Sequence, residues 1–267
     1  MKNDPLASVR CFLLDMDGTF YLGERLLPGA ARFIEVLASQ GKDFLFLTNN
    51  SSKHRGLYAE KITRMGVPIP ETKVFTSGEA TALYLKKAGG PASLYIVGTP
   101  ALEEEFRQHG YTLDEQFPQA VVLGFDTTLT YAKLWKLCDF VRAGLPYIAT
   151  HPDFNCPTET GFMPDIGAMI AFVKASTGRE PDVVIGKPNR IIVDMVAQKL
   201  NLPLASLAMI GDRLYTDIAL GSTSGITTVL VLSGETRLED LSGSTFQPTI
   251  IEQNLGALAE RLLSLEN

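Results

Sequence analysis

A chain of 267 residues is long enough for one large domain or two of ordinary size, and its 45% hydrophobic and 20% charged residues exclude an intrinsically disordered protein. The formal net charge of -6 at pH 7 argues against a nucleic acid polymer or an anionic membrane as the main partner. No apolar run approaches the roughly 18 residues that cross a bilayer, residues 1–5 lack the apolar stretch of a secretory signal, and the cysteines form no CxxC pair, so we expect a reduced, cytoplasmic setting.

Short apolar runs alternate with longer amphipathic segments through the whole sequence. Several runs are apolar at every position, which is typical of parallel strands covered on both faces. Apolar residues recur at helical spacing in segments such as 191–196 and 255–263. In chain order, the predicted strands are 9–14, 44–47, 94–97, 120–123, 147–149, 183–185, 207–210 and 227–232. This alternation predicts an α/β protein with right-handed crossovers.

Proline and glycine cluster at 89–91 and again at 178–181. We interpret residues 81–180 as a second α/β unit that is inserted into a first domain made of 1–80 and 181–267. Inserted and tandem domains look alike in composition, so the tandem arrangement stays open at this point.

Two carboxylates, Asp15 and Asp17, follow the first predicted strand and precede Gly18. Residues two apart in an extended backbone point to the same side, so the two side chains would flank one point in space. Ligands of open α/β sheets bind beyond the carboxyl ends of the strands, where this pair lies. Adjacent carboxylates repel each other unless a cation or a shared proton relieves them, and Mg²⁺ suits such a pair. The alternative is an ordinary turn at the end of a strand.

The strand predicted at 207–210 ends in the same way. Gly211 and Asp212 follow it directly, and Thr216 and Asp217 come at the start of the next helical segment. Thr216 and Asp217 could serve only as helix caps, but that role does not exclude metal binding.

Two further strand ends are polar. Residues 48–52 offer hydroxyls, amides and backbone N–H groups at a predicted helix start, which favours anion binding. Lys187 follows the strand predicted at 183–185. A single lysine is usually a solvated surface charge, but here it could share the field of the carboxylates and a phosphate.

These four segments, in this order, resemble the four motifs of the haloacid dehalogenase superfamily. They read LLDMDGT at 13–19, FLTNNSS at 46–52, IGKP at 185–188 and MIGDRLYTD at 209–217. With residues 151–157 and 161–169, the chain is similar to the α/β-capped phosphatases of the nitrophenylphosphatase and nucleotide-phosphatase branch. The resemblance implies a doubly wound, Rossmann-like parallel-sheet core with an inserted α/β cap that contacts the organic part of the substrate.

The resemblance also implies a role for each catalytic residue. Asp15 would be the nucleophile that forms an aspartyl-phosphate intermediate, and Asp17 would be the general acid and then the general base. Thr48 and the backbone of Asn49 would hold the phosphoryl oxygens. Lys187 would neutralise charge on Asp15 and on the phosphoryl group.

By the same resemblance, the cofactor is Mg²⁺, bound by the carboxylates of Asp15 and Asp212 and the backbone carbonyl of Asp17, with support from Asp217. The substrate would be a small phosphorylated metabolite of the nucleotide or sugar phosphate class. Caps of this type often form homodimers, although no residue here demands one. The candidate specificity residues lie in 151–169, where the alternative for Ile166 and its neighbours is the core face of a helix.

Two other functions use the same intermediate. A phosphotransferase or phosphomutase would pass the phosphoryl group to a sugar, and a signalling protein would keep Asp15 phosphorylated as a switch. Asp17 argues against the switch, because a general base would hydrolyse the acyl phosphate. We also expect His54 and His109 at the surface, and Trp135 on the buried face of a helix.

Overall fold

The computed structural model describes residues 4–158 and 160–265, which fall into two compact units. The first unit is formed by the described parts of Met1–Leu47, Tyr58–Phe75 and Lys187–Asn267, and the second by those of Thr48–Leu57 and Thr76–Gly186. The predicted domain boundaries differ from this division at 48–57, 76–80 and 181–186, and the functional division into a core and a cap stays a prediction.

The predicted alternation of strands and helices is present. In chain order the strands are β1 (Cys11–Leu14), β2 (Tyr21–Leu22), β3 (Arg25–Leu26), β4 (Asp43–Thr48), β5 (Val74–Thr76), β6 (Ser93–Val97), β7 (Thr112–Leu113), β8 (Ala120–Leu123), β9 (Tyr147–Ala149), β10 (Asn155–Thr158), β11 (Gly161–Pro164), β12 (Val183–Val184), β13 (Leu207–Gly211), β14 (Thr227–Val231) and β15 (Ile250–Glu252). The α-helices are α1 (Ala30–Ser39), α2 (Arg55–Arg64), α3 (Ser77–Lys87), α4 (Pro100–Gln108), α5 (Tyr131–Arg142), α6 (Ile166–Thr177), α7 (Arg190–Leu200), α8 (Ala219–Ser224) and α9 (Leu255–Ser264). Short 3₁₀ helices span Glu71–Lys73, Leu204–Ser206 and Leu238–Gly243, and a π-helix spans Leu214–Ile218.

The sheet of the first unit has six strands in the order β15-β14-β13-β1-β4-β5. β1 pairs in parallel with both β4 and β13, and parallel pairing continues from β13 through β14 to β15. Numbered along the chain, this order is 3-2-1-4-5-6 from β5, which is that of a Rossmann-like doubly wound sheet. Every residue of β1 and β13 is buried, as expected for strands covered on both faces. The predicted fold class is therefore confirmed.

Helices α1 and α9 pack together in the core of the first unit. Phe12 of β1 meets Phe33 of α1 edge to face, with ring centroids 5.7 Å apart. Leu258 and Leu262 of α9 are buried in the same cluster. This packing confirms the helix predicted from the apolar spacing in 255–263 and holds the central strands in place.

The second unit has a five-stranded sheet in the order β12-β9-β8-β6-β7, in which every neighbouring pair is parallel. β10 and β11 form an antiparallel hairpin. Helix α5 buries Leu137 and Val141, but Trp135 is 62% exposed. The prediction that Trp135 is buried was wrong because residues four apart share a helix face and Trp135 lies two positions from Leu137. Among the described residues, no helix is long and apolar enough to cross a bilayer.

Candidate active site

Neighbouring strands β1 and β13 bring two carboxylates to one edge of the first unit's sheet. Asp15 follows the last residue of β1 and donates its backbone N–H to the carbonyl of Ile210 at 2.9 Å, and Asp212 follows the last residue of β13. Between β1 and β13 the strand order reverses, and such reversals leave a crevice at the carboxyl ends of the strands. The predicted positions of Asp15 and Asp212 at strand ends are therefore observed.

Lys187 is buried, with 2% of its surface exposed, and it connects two of the carboxylates. Its Nζ donates to Asp15 Oδ1 at 2.5 Å, to Asp217 Oδ1 at 2.7 Å and to the carbonyl of Leu47 at 3.2 Å. Burial acts to lower the pKa of Lys187, but Asp15 and Asp217 outweigh it and hold the pKa above the ordinary value. Lys187 is thus a buried cation of the site and not a solvated surface charge.

The side chains of Asp15, Asp212 and Asp217 each offer an oxygen atom within 4.8 Å of the others. Burial, followed by the charges of Asp15 and Asp217, raises the pKa of Asp212 to about 7. Burial and Asp15 also raise the pKa of Asp217, against the opposing effect of Lys187. Carboxylate oxygens are ligands that a hard divalent cation prefers, and a cation would relieve the repulsion that raises these pKa values. The three residues therefore fit a divalent metal ion.

Backbone and side-chain donors fix the carboxylate of Asp212. Thr19 Oγ1 donates to Oδ1 at 3.2 Å, and the backbone N–H of Glu235 donates to Oδ2 at 2.8 Å. Gly18 has a φ of 86°, and a Cβ atom there would lie 2.3 Å from Asp212 Oδ2. Only glycine fits this conformation and this close approach. Neither Thr19 nor Glu235 was predicted from the sequence, although Thr19 lies just beyond the first motif's carboxylates.

Asp217 lies in the first turn of the π-helix Leu214–Ile218, whose N-cap residue is Arg213, so Asp217 is not itself the N-cap of this helix. Its Oδ2 accepts a hydrogen bond from the backbone N–H of Arg213 at 3.3 Å.

The Arg213 side chain forms an ion pair with Glu235 at 3.0 Å. Burial acts to lower the pKa of Arg213, but Asp15, Asp212 and Asp217 together raise it above the ordinary value. Arg213 is therefore a second cation near the carboxylates, and it was not predicted from the sequence.

Asp17 is exposed, and its carboxylate is not part of the group formed by Asp15, Asp212 and Asp217 among the described residues. Burial and then the charge of Asp17 raise the pKa of Tyr21 above its ordinary value, which places the carboxylate near the Tyr21 side chain. The chain turns here, because the N–H of Gly18 donates to the carbonyl of Tyr21 at 2.8 Å. The roles of Asp17 as an acid and as a backbone metal ligand stay predictions.

Thr48 and Asn49 belong to the second unit, and their predicted role in phosphoryl binding stays a prediction. Thr48 Oγ1 accepts the N–H of Asn50 at 3.1 Å, and Asn50 Oδ1 accepts the N–H of Ser52 at 2.9 Å. These side-chain turns replace helical hydrogen bonds, so α2 begins only at Arg55. The expectation of a helix start at 48–52 was therefore wrong.

Residues 151–169 supply both core and surface side chains in the second unit. His151 is fully buried and its Nε2 lies 3.1 Å from Asp165 Oδ1. Ile166 is buried in the core, as the alternative for the α6 face predicted. Phe154 and Phe162 are 64% and 75% exposed. Position 159 lies outside the described residues, and a substrate contact for this range stays a prediction.

The two remaining histidines were expected at the surface. His54 and His109 are each partly buried, so that expectation was only partly right. The Nδ1 atom of His54 accepts the N–H of Gly56 at 3.1 Å at the start of α2, and His109 follows the last residue of α4. Both histidines therefore have structural surroundings at helix ends.

Comparisons with known proteins agree with this arrangement. A protein-family model described as haloacid dehalogenase-like hydrolase matches residues 12–112 of this sequence, and a second family model of haloacid dehalogenase-like hydrolases matches residues 184–258. The 5'-nucleotidase YutF of Bacillus subtilis is 34% identical over 238 residues, covering 89% of this chain and 93% of the relative. An acid sugar phosphatase of Staphylococcus saprophyticus is 35% identical over 258 residues, covering 96% and 99%. The crystal structure of a 4-nitrophenylphosphatase from Thermotoga maritima is 48% identical, with a TM-score of 0.94 and coverage of 97% and 99%. The chain therefore belongs to the haloacid dehalogenase-like hydrolase family.

Proposed function

We propose that this protein is a phosphatase that hydrolyses small phosphomonoesters by transferring the phosphoryl group first to Asp15 and then to water. The observation that carries the proposal is the ion pair between Asp15 and buried Lys187, beside the buried carboxylates of Asp212 and Asp217. Two anions, a carboxylate and a phosphate, approach each other in such a reaction, and a fixed cation between them lowers the cost.

In the first half-reaction, a carboxylate oxygen of Asp15 attacks the phosphorus atom. The bond from phosphorus to the ester oxygen breaks, and Asp17 gives its proton to the leaving oxygen. Lys187 compensates the negative charge on Asp15 and on the transferred group. The exposure of Asp17 is consistent with this role, because an exposed carboxyl group can reach a leaving group that is open to solvent.

The second half-reaction reverses the proton flow. Asp17, now a carboxylate, takes a proton from a water molecule as the water oxygen attacks phosphorus. The bond between phosphorus and Asp15 breaks, which releases inorganic phosphate and restores the free carboxylate. Throughout, Thr48 Oγ1 and the backbone N–H of Asn49 would hold phosphoryl oxygens.

The metal would be Mg²⁺, held by the carboxylates of Asp15 and Asp212 with the backbone carbonyl of Asp17 and support from Asp217. When bound, it supplies positive charge that stabilises the phosphoryl oxygens. Support for this assignment comes from the donor set, which consists of oxygen atoms, and from the raised pKa of Asp212, which reflects burial and the negative charges beside it.

The substrate class is proposed from the names of the relatives, which include a 5'-nucleotidase and an acid sugar phosphatase. We infer that the substrate is a nucleotide or sugar phosphate, and that residues of the second unit, as a cap, contact its organic part. The boundaries 81–180 for the cap, the cytoplasmic setting and the homodimer stay predictions.

A panel of phosphomonoesters tests the proposal. Inorganic phosphate should appear with nucleotide or sugar phosphates in the presence of Mg²⁺, and chelation with EDTA should abolish it. Isomerised product without inorganic phosphate would instead establish a phosphomutase. Stable labelling of the protein without turnover would establish a phosphorylated switch.

A further inference from the structure

The residues that follow β4 are held by hydrogen bonds within the second unit. We name Thr48–Ser52 the phosphate loop, after its proposed role. Ser77 Oγ donates to the carbonyl of Asn49, and Thr99 Oγ1 donates to the carbonyl of Ser52 at 2.8 Å. Ser51 Oγ lies 2.9 Å from Thr150 Oγ1 and accepts the N–H of Phe125 at 2.9 Å. The loop is thus fixed by several neighbouring segments of the unit.

Asp153 holds the side chain of the loop's second residue. Asn49 is 6% exposed, and its Nδ2 lies 3.2 Å from Asp153 Oδ1 and 3.1 Å from Asp153 Oδ2. The hydrogen bond is charge-assisted because its acceptor is a carboxylate. Because both carboxylate oxygens lie within hydrogen-bond distance of the same amide nitrogen, a small rotation of the carboxylate leaves an acceptor in place. The Asn49 amide is thereby fixed in orientation.

The segment that carries Asp153 is itself anchored. The backbone carbonyl of Asp153 accepts a hydrogen bond from the N–H of Gly167 at 2.7 Å, near the start of α6. Two residues earlier, fully buried His151 bonds to Asp165 Oδ1, which also accepts the N–H of Ile166 at 2.7 Å. Asp153 therefore projects from a rigid support, as a residue that positions another side chain must.

Gly186 lies against the oxygen of the same amide. A Cβ atom at this position would lie 2.6 Å from Asn49 Oδ1 and 2.6 Å from His151 Cβ. The backbone of Gly186 thus comes closer to Asn49 than any other residue type would allow. The amide nitrogen therefore faces the Asp153 carboxylate, and the amide oxygen faces the backbone of Gly186.

We propose that Asp153 is a positioning residue for phosphate binding, which acts by fixing Asn49 and with it the backbone N–H that is proposed to bind a phosphoryl oxygen. This inference rests on the proposed function, because the orientation of Asn49 affects turnover only if its backbone holds the substrate. Asp153 itself does not touch the phosphate. Asp153 acts only through its hydrogen bond to the amide of Asn49. An exchange of amide and carboxylate between positions 49 and 153 should therefore preserve the hydrogen bond.

The test compares four variants. Asp153→Ala removes the acceptor, and Asn49→Asp places two carboxylates against each other, so each should lower kcat/KM by about tenfold to hundredfold, the range for losing a hydrogen bond to a charged group. The double variant Asn49→Asp/Asp153→Asn restores a bond in which the amide at position 153 is the donor, and should recover to within about threefold of the wild type. Asp139→Ala is the matched control, since Asp139 is exposed and pairs with Arg142 on the surface of α5.

Calorimetric titration with inorganic phosphate gives a readout that does not depend on turnover. Phosphate affinity should fall in Asp153→Ala in proportion to kcat/KM, while the Asp139→Ala control keeps the wild-type affinity. An exchange variant no better than Asn49→Asp, or an Asp153→Ala affinity equal to the control, would overturn the inference. A wild-type protein that binds phosphate but releases none from esters would overturn the proposed function. The role of Asp153 in phosphate binding would then be judged from the phosphate affinities of Asp153→Ala and of the control alone.

Discussion

Lys187→Met keeps much of the side-chain length and removes the cation between Asp15 and Asp217. Lys187 is 2% exposed, and its Nζ lies 2.5 Å and 2.7 Å from oxygen atoms of the two carboxylates. Removal of one partner from a buried ion pair costs about 3–5 kcal/mol, because the remaining charge stays buried without compensation. We therefore expect the free energy of unfolding to fall by about 3–5 kcal/mol at pH 7 in EDTA.

Activity should fall as well, and a second substitution separates the two effects. Loss of a fixed charge at the transition state typically lowers kcat by about 10²–10³-fold. In Lys187→Met/Asp217→Asn, one uncompensated charge is gone, so at least about 1 kcal/mol of the lost stability should return while kcat stays low. Urea denaturation should be followed by far-UV circular dichroism and not by tryptophan fluorescence. The single tryptophan, Trp135, belongs to the second unit, so its fluorescence would not report the unfolding of the first unit.

The matched control is Lys174→Met. Lys174 is 58% exposed and pairs with Glu180 at the surface, so its loss should change the free energy of unfolding by less than about 0.5 kcal/mol. A loss of under about 1 kcal/mol in Lys187→Met would refute the reasoning. So would a double variant whose destabilisation equals the sum of those measured for Lys187→Met and for Asp217→Asn alone, because the effects of uncoupled residues add.

Three more expectations concern the same site. Asp17→Asn should slow alkyl phosphates by about 10²-fold more than nitrophenyl phosphate, since a poor leaving oxygen needs the proton; equal losses on both substrates in steady-state assays would contradict it. In the metal-free protein, the pKa of Asp212 near 7 and the raised pKa of Asp217 mean that the folded state holds more protons than the unfolded state, so stability falls as pH rises from about 4 to 7. Mg²⁺ should therefore raise Tm more at pH 8 than at pH 5 in scanning fluorimetry, and the reverse order would count against the site. Gly18→Ala should abolish activity because its Cβ atom would meet Asp212, whereas Gly41→Ala, which also has a positive φ but faces open space, should keep kcat within about twofold; equal activities of the two variants in the phosphate-release assay would contradict this expectation.

The positions of the site residues at strand ends could be predicted from the sequence. Asp15 and Asp212 follow apolar runs that are typical of buried strands, and parallel strands bring their carboxyl ends to one edge. Lys187 was predicted from its place after a strand and from the family motif. Its burial between two carboxylates could not be predicted, because it depends on how distant segments of the first unit pack around its side chain.

Contacts between distant segments could not be predicted from local patterns. Thr19 and Glu235 are separated by more than 200 residues, and both donate hydrogen bonds to the carboxylate of Asp212. No local sequence pattern indicates that these two residues share a partner. The hydrogen bonds of the phosphate loop follow the same rule, since its partners lie far along the chain. Of the three-residue strands, β9 was predicted but β5 and β15 were missed, because three residues give too little periodicity to be recognised reliably.

The central claim is that the phosphoryl group passes through Asp15. The most direct measurement is acid quenching during a single turnover with Mg²⁺, followed by mass spectrometry of the peptide that contains residue 15. We predict a phosphorylated Asp15 peptide that appears before inorganic phosphate and then decays, and in Asp15→Asn neither the modified peptide nor phosphate. Release of phosphate by Asp15→Asn at the wild-type rate would contradict the account.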